Sequence, residues 1–110
     1  MVKLIFYVPV SHIDSVKSAV FATGAGNIGD YEQCCWQVLG EGQFKPLKGS
    51  QPYLGEQGKL EKVAEYRVEM VCDDQYVVLA VTALKAAHPY EEPAFDIIPL
   101  VDAQSFRKED

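Results

Sequence analysis

Glu61-Lys62-Val63-Ala64-Glu65-Tyr66-Arg67-Val68-Glu69-Met70-Val71-Cys72 alternates with a period of two. Ala64, Tyr66, Val68, Met70 and Cys72 fall on one side; Glu61, Glu65, Arg67 and Glu69 fall on the other, with Val63 among them. Successive strand side chains point to opposite faces, so this is a strand with one face on a core and one largely charged. The period then changes. Asp73 or Asp74 caps a helix, and Val77, Ala80, Val81, Leu84 and Ala87 recur at helical spacing. Pro89 stops that helix, and Ala94 to Leu100 reads as a last strand, its apolar run interrupted by Asp96.

Working back from Glu61, Gly40, Gly42, Pro46, Gly49, Pro52, Gly55 and Gly58 punctuate a long loop expected over residues 40–58. A strand is expected before it from Tyr31 to Leu39, with Cys34, Trp36 and Val38 on one face. At the start of the chain, residues 2–8 alternate Val2, Leu4, Phe6 and Val8 against Lys3, Ile5 and Tyr7. Ser11 reads as an N-cap with Asp14 in the place of a capping box, and Ile13, Val16 and Val20 follow at helical spacing. Gly24 and Gly26 end this helix, and Asn27-Ile28-Gly29-Asp30 is a turn. Strand–helix–strand occurs twice. This predicts an α+β, ferredoxin-like split βαβ fold: a four-stranded antiparallel sheet with two helices on one face. The domain is expected over residues 1–101, and the polar tail over 102–110 is expected to fray.

Two helices cover one face of such a sheet. The other carries Ile5, Tyr7, Leu39 and Val63 among charges, so self-association through that open face is expected. The chain of 110 residues has 48% hydrophobic and 24% charged residues, an ordinary globular composition. A formal charge of −6 argues against sequence-independent nucleic-acid binding, which needs a basic footprint. No apolar run approaches the ~20 residues of a membrane span. Cys34, Cys35 and Cys72 form no C-x-x-C pair, and adjacent strand residues point apart, so reduced, mostly buried thiols in a cytoplasmic protein are expected.

The combined pattern resembles a known family. Gly24-x-Gly26-x-Ile28-Gly29-x-Tyr31-x-x-Cys34, Gly40-x-Gly42-x-Phe44-x-Pro46, Gly49-x-x-Pro52-x-x-Gly55, Glu61-x-Val63-x-Glu65-x-Arg67-x-Glu69 and His88-Pro89-Tyr90-Glu91-Glu92-Pro93-Ala94 resemble the YqfO-type insert domain of the Nif-three-like proteins, over about residues 2–100. The resemblance implies a fold similar to the CutA and PII proteins, whose ferredoxin-like subunits form trimers, so a homo-trimer is the first expectation. Full-length members hold a two-metal site in a separate, larger domain rich in histidines and acidic residues, and some bear a cyclohydrolase-type name. This chain has only His12 and His88 and lacks that domain, so the expectation is a stand-alone module that is not an enzyme.

Within His88-Pro89-Tyr90-Glu91-Glu92-Pro93, an imidazole, a phenol and two carboxylates sit between two prolines that stiffen the backbone. His88, Tyr90, Glu91 and Glu92 are therefore candidates for binding a small ligand. His88 with Glu91 also suits zinc or copper, completed across a subunit boundary. The plainer reading is a helix stop, with His88 on helix carbonyls and Glu91 or Glu92 paired with Arg67 or a lysine. Phe44, Pro46 and Tyr53 are candidates for docking a partner protein, because by resemblance the 40–58 loop stands where the PII fold carries its partner-binding loop. Gly24-Ala25-Gly26-Asn27-Ile28-Gly29 follows a helix instead of opening one and is read as a turn, not a nucleotide cradle. No Ser-His-Asp or Cys-His arrangement is supported, and no catalytic residue is assigned. The expected function is a small oligomeric binding or regulatory module. The alternative is a divalent-metal-binding protein using the His88–Glu92 corner at a subunit interface.

Overall fold

In the computed structural model, which describes residues 1–106, the alternation of residues 61–72 becomes the longest strand of a four-stranded sheet, in the sheet's interior. The elements are β1 (Val2–Pro9), α1 (Ile13–Phe21), β2 (Trp36–Phe44), β3 (Glu61–Cys72), α2 (Val77–Ala87) and β4 (Phe95–Pro99). The strands lie in the order β2-β3-β1-β4, and every neighbouring pair is antiparallel. This is the expected ferredoxin-like split βαβ arrangement.

Register explains the core. Leu4, Phe6 and Val8 of β1 stand opposite Met70, Val68 and Tyr66 of β3. Against this face α1 sets Val16 and Val20, and α2 sets Ala80 and Leu84, all buried. At the far end of β3 the helices no longer reach, and Ala64, expected inside, is exposed.

The helix starts differ from one another. Asp73 caps the turn before α2, its Oδ1 accepting from Gln75 N–H at 3.1 Å. Ser11 does not cap α1: a 3-10 turn over Val10–His12 intervenes, and the Ser11 hydroxyl lies 2.7 Å from His12 Nδ1. Pro9 ends β1 with extended geometry that leads into this tighter turn.

β2 is displaced from its expected position. Gln33 adopts φ 59, which breaks an extended run from Tyr31, and regular pairing begins only at Trp36. Cys34 N–H instead donates to Gly26 O, and Gly26 N–H to Val71 O, both at 2.8 Å. At its other end β2 runs through Gly40 and Gly42 to Phe44, so these residues belong to the sheet and the loop is shortened to residues 45–60. A side chain at Gly42 would collide with the Glu65 carboxylate, which lies across its backbone. In the tail, Asp102 accepts from Gln104 N–H at 2.9 Å and caps a 3-10 turn over Ala103–Phe106. The turn is exposed throughout and held by contacts within itself; the rest of the polar tail lies outside the described residues.

The face turned away from the helices carries Trp36, Val38 and Phe44 on β2, Val63, Glu65, Arg67 and Glu69 on β3, Ile5 and Tyr7 on β1, and Asp96 and Ile98 on β4. One end of this face is roofed by the 45–60 loop. No helix among the described residues is long and apolar enough to cross a membrane.

Candidate functional site

α2 closes with His88 N–H donating to Leu84 O at 2.9 Å, after which the chain turns extended, as a residue before proline must. The His88 ring then swings onto β1. Its Nε2 lies 2.7 Å from Tyr7 O, and its Nδ1 lies 3.1 Å from Tyr90 N. A backbone carbonyl can only accept and a backbone N–H can only donate. Nε2 therefore carries the proton, Nδ1 is the acceptor, and the ring is neutral. Burial pushes the His88 pKa below its ordinary value, opposed by the bond to Tyr7 and the charge of Glu65. His88 is thus a strut between the corner and β1, with both ring nitrogens engaged. Its ring does not contact a helix carbonyl, that role falling to its backbone N–H on Leu84 O, and Arg67 pairs with Glu69 at 3.4 Å, not with the corner carboxylates. Among the described residues no group of three or more His, Cys, Asp or Glu side chains is placed to hold a metal.

Tyr90 forms the hub of an aromatic cluster. Its ring lies 4.8 Å from His88, 5.9 Å from Phe44 and 6.4 Å from Tyr53, and Tyr53 meets His12 edge-on at 5.6 Å. The Tyr90 hydroxyl is buried without a hydrogen-bond partner. Burial drives its pKa strongly upward, and the neighbouring Glu65 carboxylate adds to this. Tyr90 remains a phenol throughout the ordinary pH range.

The loop is tied down in two places. At its base Gly58 N–H donates to Pro46 O at 2.7 Å. At its middle Gln51 N–H donates to Glu91 Oε1 at 3.2 Å, joining it to the corner after α2. Between loop, corner and sheet lies a cavity of about 380 Å³. Tyr7, Gly42, Phe44 and Glu65 form its floor on the open face of the sheet; Pro46, Ser50, Pro52, Tyr53 and Leu54 its roof; Tyr90, Glu91, Glu92 and Ala94 its wall.

Two separate sets of residues singled out in the sequence therefore meet. Tyr90, Glu91 and Glu92 from the corner and Phe44, Pro46 and Tyr53 from the β2–β3 connection line one cavity. His88 stands behind the wall and does not line it. Tyr7 and Glu65 are lining residues that sequence reasoning missed as site residues. Alternation placed both on the sheet's second face, but no local signal tells which end of that face a distant loop will cover.

No protein-family model matches the chain. A Mycobacterium leprae protein named GTP cyclohydrolase 1 type 2 homolog is 52% identical over 99 residues, which is 90% of this chain and 26% of that relative. A Bacillus subtilis protein of the same name is 43% identical over 98 residues, 89% of this chain and 26% of the relative. The chain spans about a quarter of the length of the curated relatives it matches. Among solved structures, a Bacillus cereus protein related to NIF3 superposes with a TM-score of 0.79 at 37% identity, covering 92% of this chain and 26% of that one. The CutA divalent cation tolerance protein of Archaeoglobus fulgidus superposes with a TM-score of 0.66 at 15% identity, covering 94% and 87% of the two chains. This last likeness is one of fold alone.

Proposed function

We propose that the chain is a small oligomeric module that binds a ligand or partner in the roofed cavity, and that it acts by binding and not by catalysis. The cavity carries this reading: it is built by three elements distant in sequence, and its loop is bonded to its wall instead of lying free. At about 380 Å³ it falls within the size range of small-molecule sites. The relatives support a place in NIF3-type proteins, in which this segment would accompany whatever chemistry the remaining three quarters of such a protein performs. The ferredoxin-like fold and the bare end of the sheet support assembly into a homo-oligomer, with a trimer as the first count to test. The β2–β3 connection, with Phe44 at the end of β2 and Pro46 and Tyr53 in the loop, is the surface through which a protein partner would sense an occupied cavity.

Zinc or copper at His88 and Glu91 is the competing outcome. It would require a ring nitrogen of His88 to give up Tyr7 O or Tyr90 N–H, and one oxygen of Glu91 already accepts from Gln51. Native mass spectrometry with and without zinc or copper reports subunit number and bound mass together. The binding-module reading expects an oligomer without stoichiometric metal. One metal per subunit, lost in His88→Ala, would replace it with the metal-binding reading, and a monomer at all concentrations would remove the oligomer from it.

A further inference from the structure

We propose that the cavity selects an organic cation: a protonated amine, amidine or guanidine group on a small flat or apolar body. The inference rests on the ligand-binding reading above and names the chemistry that the site would take. Every charged side chain that lines the cavity is a carboxylate, namely Glu65, Glu91 and Glu92; no lysine, arginine or histidine joins them. The chain as a whole carries a formal charge of −6. A phosphorylated or carboxylated ligand would meet repulsion inside a partly desolvated space, where charges are screened least.

The rest of the lining tells an organic cation from a metal ion. Tyr7, Phe44, Tyr53 and Tyr90 present aromatic rings, whose faces are negative and attract ammonium and guanidinium groups. Hard metal ions need several converging oxygens, and the carboxylates here are spread around the wall and floor without forming a chelating group. Polar capacity is also left over. Glu65 and Glu92 form no ion pair among the described residues, and Glu91 is bonded through one oxygen. A ligand with several N–H donors would satisfy the carboxylates while its body packs on the rings. The volume limits that body to about one or two rings.

Benzamidine, its neutral isostere benzamide and its anionic counterpart benzoate test the idea, read by amide chemical shifts across the chain and by titration calorimetry. The expected result is that benzamidine shifts the amides of Tyr53 and Tyr90, binds about tenfold or more tightly than benzamide, and that benzoate does not bind. Glu65→Gln and Glu92→Gln should each weaken benzamidine severalfold while leaving benzamide unchanged, which also reports that the cavity is intact. Equal affinity for benzamide or benzoate would overturn the charge selectivity and leave the ligand-binding reading standing. If none of the three shifts the lining amides, both fail. N-acetyl-arginine methylamide imitates the side chain of a partner protein. Tighter binding of this probe than of benzamidine would overturn a free small molecule as the natural occupant.

Discussion

His88 joins two backbone segments that are 81 residues apart, and each of its ring nitrogens has one task. Its loss should therefore cost more than a surface histidine's. His88→Ala removes a buried ring and orphans both Tyr7 O and Tyr90 N–H, so a destabilisation of about 2–4 kcal/mol is expected in urea unfolding. The pH dependence has a definite sign. The folded-state pKa lies below the ordinary value of 6.5, so the unfolded chain takes up the proton first as pH falls. His88's contribution is complete above about pH 6.5 and is lost progressively as pH falls from there through the lowered folded-state value. Protonation would also oblige Nδ1 to give up Tyr90 N–H, so the wall of the cavity should loosen in the same window. His88→Gln should flatten the stability profile as pH falls below about 6.5 relative to the parent; an unchanged slope would assign the acid sensitivity to other groups. That the corner mattered was legible from its crowded polar residues. That His88 would brace and not line the site was not, because its partner on β1 is a backbone carbonyl, and a sequence does not distinguish one carbonyl from another.

The elements show the same division between local and distant information. β3 and both helical stripes could be read because each buries one face, and burial imprints a period of 2 or 3.6 on the residues themselves; β1, central in the sheet and buried at Leu4, Ile5 and Phe6 alike, could be read from its apolar run. β2 lies at the sheet edge with Trp36, Val38 and Leu39 exposed, so burial left no such imprint, and Gly40 and Gly42 resembled loop punctuation. A glycine can mark a turn or a strand crossed closely by a neighbour's side chain, and only the register with β3 tells which. At Gly42 it is the second, with the carboxylate of Glu65 lying across the backbone. Gly42→Ala tests this placement. The backbone there is not in the left-handed region and the obstructing group is the end of a flexible side chain, so stability should change by less than about 1 kcal/mol. The Glu65 carboxylate, however, must swing away from the cavity floor. Benzamidine affinity should then fall toward that of Glu65→Gln, with the melting temperature nearly unchanged. A large drop in melting temperature with unaltered binding would mean that Glu65 supports the sheet and not the site.

At the scale of the molecule, the sheet has two unlike faces and only one is covered by helices. Trp36, Val38 and Ile98 lie on the other, at 61%, 42% and 45% exposure. Between them on β3 sit Arg67 and Glu69, paired with each other, and beside Ile98 lie Lys3 and Asp96, so the strip sets apolar groups among charges of balanced sign. Such a surface loses little by leaving water and gains by burial, which is the pattern of an interface between copies. The outer side of α2 also exposes Val78 and Leu79, at 77% and 56%, as a second apolar patch. The two surfaces can be separated experimentally. Trp36→Glu should shift the protein toward monomer in light scattering, weakening association by roughly thirtyfold if the indole is central to the contact. Val78→Lys should leave the mass unchanged. Trp36 is the chain's one tryptophan, so the parent also reports on itself. Its emission should shift to shorter wavelength as concentration rises and the indole leaves water. If Val78→Lys dissociates the assembly and Trp36 stays solvated at every concentration, the copies meet through their helices. The open sheet face would then remain free to carry the cavity at its roofed end and a different partner at its bare one.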